Sequence, residues 1–473
     1  EAAEAYLAGA EGAPSDVALD RQRRAAMHYL ISGRVDEGMW VVRAVLRAVG
    51  LRWPPTSARV LVSLLAHRAW LKLRGLGFRE RSEREVPAEL LRRVDVSWSV
   101  VVGLSRIHTI RGAELQVRHL LLALRAGEPY RVARALALEA GHSATIGSTA
   151  WQRTMHLLDA ARAIEARVPH PHTRGLVTLI SGMAEYLVGH WRLGLELCEQ
   201  ATTILHEQCT GVMWELNTAR AYCLYALYFM GEVAELSRRL GPILKDAEER
   251  GNLFVLANHA TFTRPLAQLA ADDSDTALKD LDDLMAQWSQ EGFQAQHFYS
   301  MYAHVQIHLY RGDAEAAHNW LVSQWPGLVG SLLLRVQHVR IFSYEARARA
   351  ALALAARSGR PSSLLKQIDH DIRRLEREPV GYAQALARLL RAGQAAVHGE
   401  RQRIAPLLRE AMDQFETLDM RLHAAVARDR LGEVSGGAEG QALRAQSASW
   451  MADQKVRHPA RMVGMLAPSL GVY

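Results

Sequence analysis

The sequence predicts an all-α fold, a helical-repeat solenoid built from antiparallel helix pairs. Three observations predict it: a composition of helix formers, apolar residues at three- and four-residue spacings, and glycines recurring at helix ends every 40 residues or so. Of the 473 residues, 49% are hydrophobic, enough to bury a large core, and Ala, Leu and Arg outweigh the β-branched and Phe residues that favour strands.

The glycine signal is a helix end followed by a polar residue and a second helix. It is clearest at Leu187-Val188-Gly189-His190, Phe229-Met230-Gly231-Glu232, Leu309-Tyr310-Arg311-Gly312-Asp313 and Val397-His398-Gly399-Glu400. Weaker instances are Gly33-Arg34, Gly75, Gly112, Gly147, Asp272-Asp273, Gly359-Arg360 and Gly432-Glu433. A second series, Gly127, Gly211, Gly251 and Gly292, falls half a period away, so each unit has two turns and two helices. In Leu216, Ala219, Tyr222, Cys223, Ala226 and Phe229 the apolar spacing puts one helix face on its neighbours, and the partner helix is expected from Glu232 to Arg250. Gly38, Gly194 and Ala317, five places past a turn, would let paired helices approach closely.

Prolines refine the boundaries. Pro169, Pro171, Pro326, Pro379 and Pro459 suit inter-helix turns, whereas Pro242 and Pro265 fall in expected helix interiors and should kink or split them. The segment from Pro54 to Glu128 repeats poorly, and Pro54-Pro55 with the Arg79 to Arg84 charge run suggests a seam. The expected organisation is a basic N-terminal helical region of irregular repeats over 1–126, a regular solenoid over 127–452, and a C-terminal cap or tail over 453–473.

The net charge of +7 is modest for this length, but from Arg21 to Arg93 there are about ten more positive than negative side chains. Such a face could meet an acidic partner domain, an anionic membrane or nucleic acid, although the aromatic and basic interleaving of a nucleic-acid motif is missing. Apolar runs such as Val60 to Leu65 and Val100 to Leu104 stop well short of the roughly 20 residues of a membrane span. Cys198, Cys209 and Cys223 are too few to staple the chain and are expected free and buried in a reducing compartment. The chain opens at Glu1 without a secretion signal and reads as a segment of a longer cytoplasmic, soluble protein.

Several segments resemble one bacterial family. They are Ala2-Ala3-Glu4-Ala5-Tyr6, Ser32-Gly33-Arg34-Val35-Asp36-Glu37-Gly38, Val45-Leu46-Arg47-Ala48-Val49-Gly50-Leu51, Leu124-Arg125-Ala126-Gly127-Glu128-Pro129, and Val456-Arg457-His458-Pro459-Ala460-Arg461-Met462 through Ala467-Pro468. The family is the large eukaryotic-type serine/threonine protein kinases, in which a kinase domain is followed by an ATPase module and a tetratricopeptide-like C-terminal half. The resemblance implies that this chain is that C-terminal half, with the ATP-binding kinase and ATPase domains upstream as partners. These segments are packing and turn signatures, and no active-site residue of the family maps onto them.

The sequence carries few signatures of catalytic chemistry. No Gly-Lys pair exists to cradle phosphate, and the kinase catalytic loop and Asp-Phe-Gly are absent, so no catalytic residue and no cofactor is assigned to this segment. Gly141-His142-Ser143-Ala144-Thr145 lacks the second glycine of a nucleophile elbow and reads as helix packing. His304 and His308, with His297 two turns earlier, share a helix face, but without a neighbouring Glu or cysteine pair they are read as ordinary histidines and no metal site is assigned. His170-Pro171-His172 reads as a turn.

The candidate binding residues are positional. Asn217, Asn258 and Tyr299 recur one repeat apart, and Arg220, Thr261 and Tyr302 repeat one helical turn on, so both series could line an inner groove. Amide, guanidinium and phenol groups there could grip a protein or an extended peptide, with Trp214, Tyr225, Tyr228, Phe298 and Tyr310 as walls. Arg79, Arg81 and Arg84 are the candidate docking face towards the upstream domains. The expected function is therefore a non-catalytic protein-interaction and regulatory scaffold of a serine/threonine kinase. The alternative is the small-molecule-sensing arm of an ATP-dependent signalling or transcription regulator, which a well-closed pocket near Tyr299 would favour. An enzyme with a scattered site would need titratable groups converging on a cleft, and the sequence shows none.

Overall fold

A computed structural model of the chain describes residues 2–51, 54, 56–104, 109–290, 292–357 and 361–470. Among the described residues there are 24 α-helices, four short 3-10 turns and no strand, so the fold is an all-α helical-repeat solenoid. Pro55 and the Gly359-Arg360 turn lie outside the described residues.

Two kinds of helix alternate. Pro129–Ala144, Pro171–Val188, Met213–Met230, Ala295–Tyr310, Gln337–Arg357 and Gly381–His398 are buried nearly all round. Between them, Trp151–Arg167, Trp191–Gln208, Val233–Glu249, Ala314–Gly330, Ser362–Glu376 and Arg401–Thr417 bury one stripe each, as Leu364, Ile368, Ile372 and Leu375 do. An inner layer thus carries the core and an outer layer covers it.

The expected turns at Gly189, Gly231 and Gly399 are left-handed helix caps, and Gly127, Gly211, Gly251, Gly292 and Gly312 also have positive φ. Three expected boundaries are corrected. Gly112 lies in the first turns of Thr109–Ala126, so that helix begins before it. Gly432 lies inside Arg421–Ser435, where an added Cβ would come 2.5 Å from the Gly440 carbonyl oxygen; it serves a close helix crossing, and the turn is made by Gly436 and Gly437. Pro326 is inside Ala314–Gly330 rather than in a turn. Pro242 leaves Val233–Glu249 unbroken, whereas the helix expected around Pro265 is split into Leu253–Ala260 and Thr263–Ala270, with Pro265 in the second helix's first turn, where no amide is needed.

The array also coils back on itself. Ser148 N donates to Gln337 Oε1 at 2.9 Å, Arg421 Nη1 to Glu232 Oε1 at 3.0 Å and Arg461 Nη1 to Asp272 Oδ1 at 3.0 Å, and each pair is 189 residues apart. Turns from the earlier part of the chain therefore rest on the later part at these three places. Gly231 shows how close the approach is: φ is 75° and an added Cβ would sit 2.5 Å from Leu422 Cβ, so a side chain there would meet both strain and a clash. Behind these turns rings interlock, with Trp191, at the start of Trp191–Gln208, against Tyr382 at 5.3 Å and Phe229 against Phe342 of the inner layer at 4.8 Å.

The C-terminal segment packs into this core. Met462, Val463, Met465, Leu466 and Leu470 are buried, Arg349 Nη1 donates to the Met465 carbonyl at 3.3 Å, and Arg430 Nη2 to the Ala467 carbonyl at 3.0 Å. Arg349 is fully buried and pairs with the buried Glu345 at 3.0 Å. Cys198 and Cys223 are buried and Cys209 is half-buried, all three free.

Candidate functional site

Because the coil closes, inner faces from its two parts pack against each other, as Tyr186 does against His338. Between them a cavity of about 140 Å³ remains. Its walls come from Pro129–Ala144, Pro171–Val188 and Met213–Met230 of the first half and from Ala295–Tyr310 and Gln337–Arg357 of the second. Leu138, Ile180, Tyr186, Trp214, Gln296 and His338 form the buried floor, while Thr145, Met183, Tyr222, Ala295, Tyr299 and Val336 are half-exposed at the rim.

The cavity is largely apolar and aromatic, and no Asp, Glu, Lys or Arg is among its described lining residues. Its polar groups are few. Gln296 Nε2 donates to Asn258 Oδ1 at 2.9 Å, and Tyr186 Oη lies 3.5 Å from His338 Nε2. Burial pushes His338 down to about 3 and His142 to about 4, so both imidazoles are neutral at ordinary pH.

Of the six expected groove residues, Asn258 and Tyr299 line this cavity. Asn217 and Arg220 are half-buried one helix turn apart and do not line it. Thr261 is fully buried at the split between two helices, its hydroxyl donating to the Ala257 carbonyl at 2.7 Å. Tyr302 is buried beside Arg349, whose guanidinium carbon is 5.7 Å from its ring centre. Trp214 is a wall of the cavity, and Tyr225, Tyr228, Phe298 and Tyr310 are core. Gln296, His338, Tyr186 and Thr218 were not singled out from sequence. The amide pair was half visible, since Asn258 stood in the repeat series, but its partner depends on how two helices cross.

The other candidates have structural partners. His304 Nδ1 is 2.8 Å from the Ser300 carbonyl and Nε2 2.9 Å from Asp282 Oδ1, and its ring stacks on Trp320 at 4.0 Å; His297 Nδ1 accepts from Gln294 N. Among the described residues no group of three His, Cys, Asp or Glu is placed to hold a metal. Ser143 is buried and its hydroxyl accepts from Thr154 Oγ1 at 3.0 Å. His170 caps the helix Pro171–Val188 by accepting from His172 N. In a more polar cleft near Tyr130 several charges are paired with each other, Arg131 and Arg134 with Asp95 and Arg23 with Asp20.

Arg79 and Arg84 are exposed and Arg81 half-buried, in a stretch that crosses Gly127, where Arg81 N donates to the Gly127 carbonyl at 2.9 Å. The preceding helix, Ser57–Arg74, has exposed Val62, Leu65, Trp70 and Leu73 along one stripe and no acidic residue. No described helix is long and apolar enough to cross a membrane. Comparison with protein-family models and with curated proteins finds no match.

Proposed function

We propose that the chain is a non-catalytic, small-molecule-sensing arm of a larger cytoplasmic signalling protein. The observation that carries this reading is the uncharged cavity of about 140 Å³ bordered by Tyr299, walled by both halves of the coil. A molecule bound there touches the two halves at once, so its occupancy biases how they clasp. Coupling of that kind needs a differential contact free energy of about 1 to 3 kcal/mol between two states. The segments that resemble bacterial eukaryotic-type kinases support a kinase domain as the output, and an ATP-dependent transcription regulator is the alternative output. The test is thermal denaturation of the chain against a library of neutral small molecules, repeated on Ala295→Trp, which fills the rim. A compound that raises Tm in the parent and not in Ala295→Trp supports the reading; a library without any such compound overturns it.

A second reading, the protein-interaction scaffold, is favoured by the exposed stripe Val62, Leu65, Trp70 and Leu73, with Arg59 and Lys72 also exposed on that helix. Its partner would be an acidic surface of the upstream kinase or ATPase domain, with Arg79 and Arg84 just beyond the helix end. Leu65→Glu with Leu73→Glu should abolish that contact in the full-length protein while leaving the chain folded, and unchanged regulation in the double variant would count against it.

A further inference from the structure

The ligand's chemistry is narrowed by two buried atoms on residues that line the cavity, an inference that rests on the sensing reading above. Gln296 is 1% exposed and lines the cavity; its Nε2 is bonded to Asn258, but its Oε1 has no partner. His338 is 3% exposed and lines the same cavity; its Nδ1 has no partner. A buried polar atom without a partner is costly, and the cost is relieved when a ligand or water supplies the missing group.

Size and charge set the remaining limits. An apolar cavity of about 150 Å³ admits a benzene-sized molecule, and this one is about 140 Å³. With no ionised side chain in the wall, a charged ligand would leave its hydration shell without compensation. Tyr186, Trp214, Tyr222 and Tyr299 offer ring faces and edges that suit an aromatic guest. We infer that the cavity takes an uncharged, single-ring aromatic molecule whose hydroxyl or N–H donates to Gln296 Oε1, with His338 Nδ1 as its second polar contact.

The experiment is calorimetric titration of the full chain with phenol, anisole, toluene, benzoate and benzylammonium. Phenol should bind about five- to tenfold more tightly than toluene, the equivalent of one neutral hydrogen bond. Anisole, which has no donor, should bind no better than toluene, and the two ions should not bind. Gln296→Leu should bring phenol down to the affinity of toluene and leave toluene within about twofold; if that variant does not fold, the ranking on the parent chain still decides. Equal binding of phenol and toluene, preference for anisole, or tight binding of either ion overturns this inference while the sensing reading stands. No binding by any ring, or binding that survives Ala295→Trp, also overturns this inference, whereas the sensing reading falls only if the neutral library yields no compound that Ala295→Trp blocks.

Discussion

Glu232 and Arg421 form an ion pair at 3.0 Å across 189 residues of chain, the separation that also joins Ser148 to Gln337 and Asp272 to Arg461. These contacts hold the returning coil against its earlier turns, and the cavity lies between the parts they join. The ion pair itself is partly exposed and contributes little; the apposition of Gly231 and Leu422 beside it matters more. Gly231→Val should cost about 2 to 4 kcal/mol from the combined strain and overlap, read as a lower denaturation midpoint, whereas Arg421→Ala should change stability by less than about 1 kcal/mol.

A closed coil of 473 residues should have a radius of gyration of about 23 Å. Small-angle X-ray scattering checks this directly, and a value above about 30 Å would describe an open superhelix.

The two repeat-related asparagines should behave differently. Asn258→Ala removes the acceptor of Gln296 Nε2 inside the cavity and should cost about 1 to 3 kcal/mol. Asn217→Ala, on a half-buried position away from the cavity, should stay within about 0.5 kcal/mol of the parent. Chemical denaturation of both variants provides the comparison.

Burial holds Glu345 above the usual carboxylate range, and its partner Arg349 also anchors the C-terminal segment through the Met465 carbonyl. Arg349→Met should cost about 3 to 5 kcal/mol, because it leaves an uncompensated buried carboxyl, and adding Glu345→Gln should recover part of the loss. Equal stability of the single and double variants would remove this pair from the account.

Acid should unfold the chain through its buried histidines. His119, His338 and His423 are each pushed down to about 3 by burial, so between that value and about 6.5 the unfolded state binds more protons than the folded one. Their contribution is complete above about pH 6.5 and is lost as pH falls, at up to about 1.4 kcal/mol per pH unit for each group. Thermal midpoints measured from pH 7 to pH 5 should fall, and His338→Phe should flatten that slope.

The local architecture was legible in the sequence for a physical reason. Gly189, Gly231, Gly312 and Gly399 end helices in conformations that few other residues adopt, whereas the spacing of Leu216, Ala219, Cys223 and Ala226 marks one face of a helix that is buried nearly all round. Gly112 and Gly432 were misleading because glycine also serves helix starts and close crossings. The return of the coil was not legible, since periodicity describes what each helix does beside its neighbour and says nothing about curvature summed over many units. For that reason Asn258 and Tyr299 were found as inward-facing residues, but Gln296 and His338, which complete the cavity from other helices, were not.

The most direct measurement is a crystal structure of the chain soaked in phenol. The account predicts ring density between Tyr186, Trp214 and Tyr299, with the hydroxyl within hydrogen-bonding distance of Gln296 Oε1; an empty or side-chain-filled cavity, with the coil otherwise closed, would contradict it.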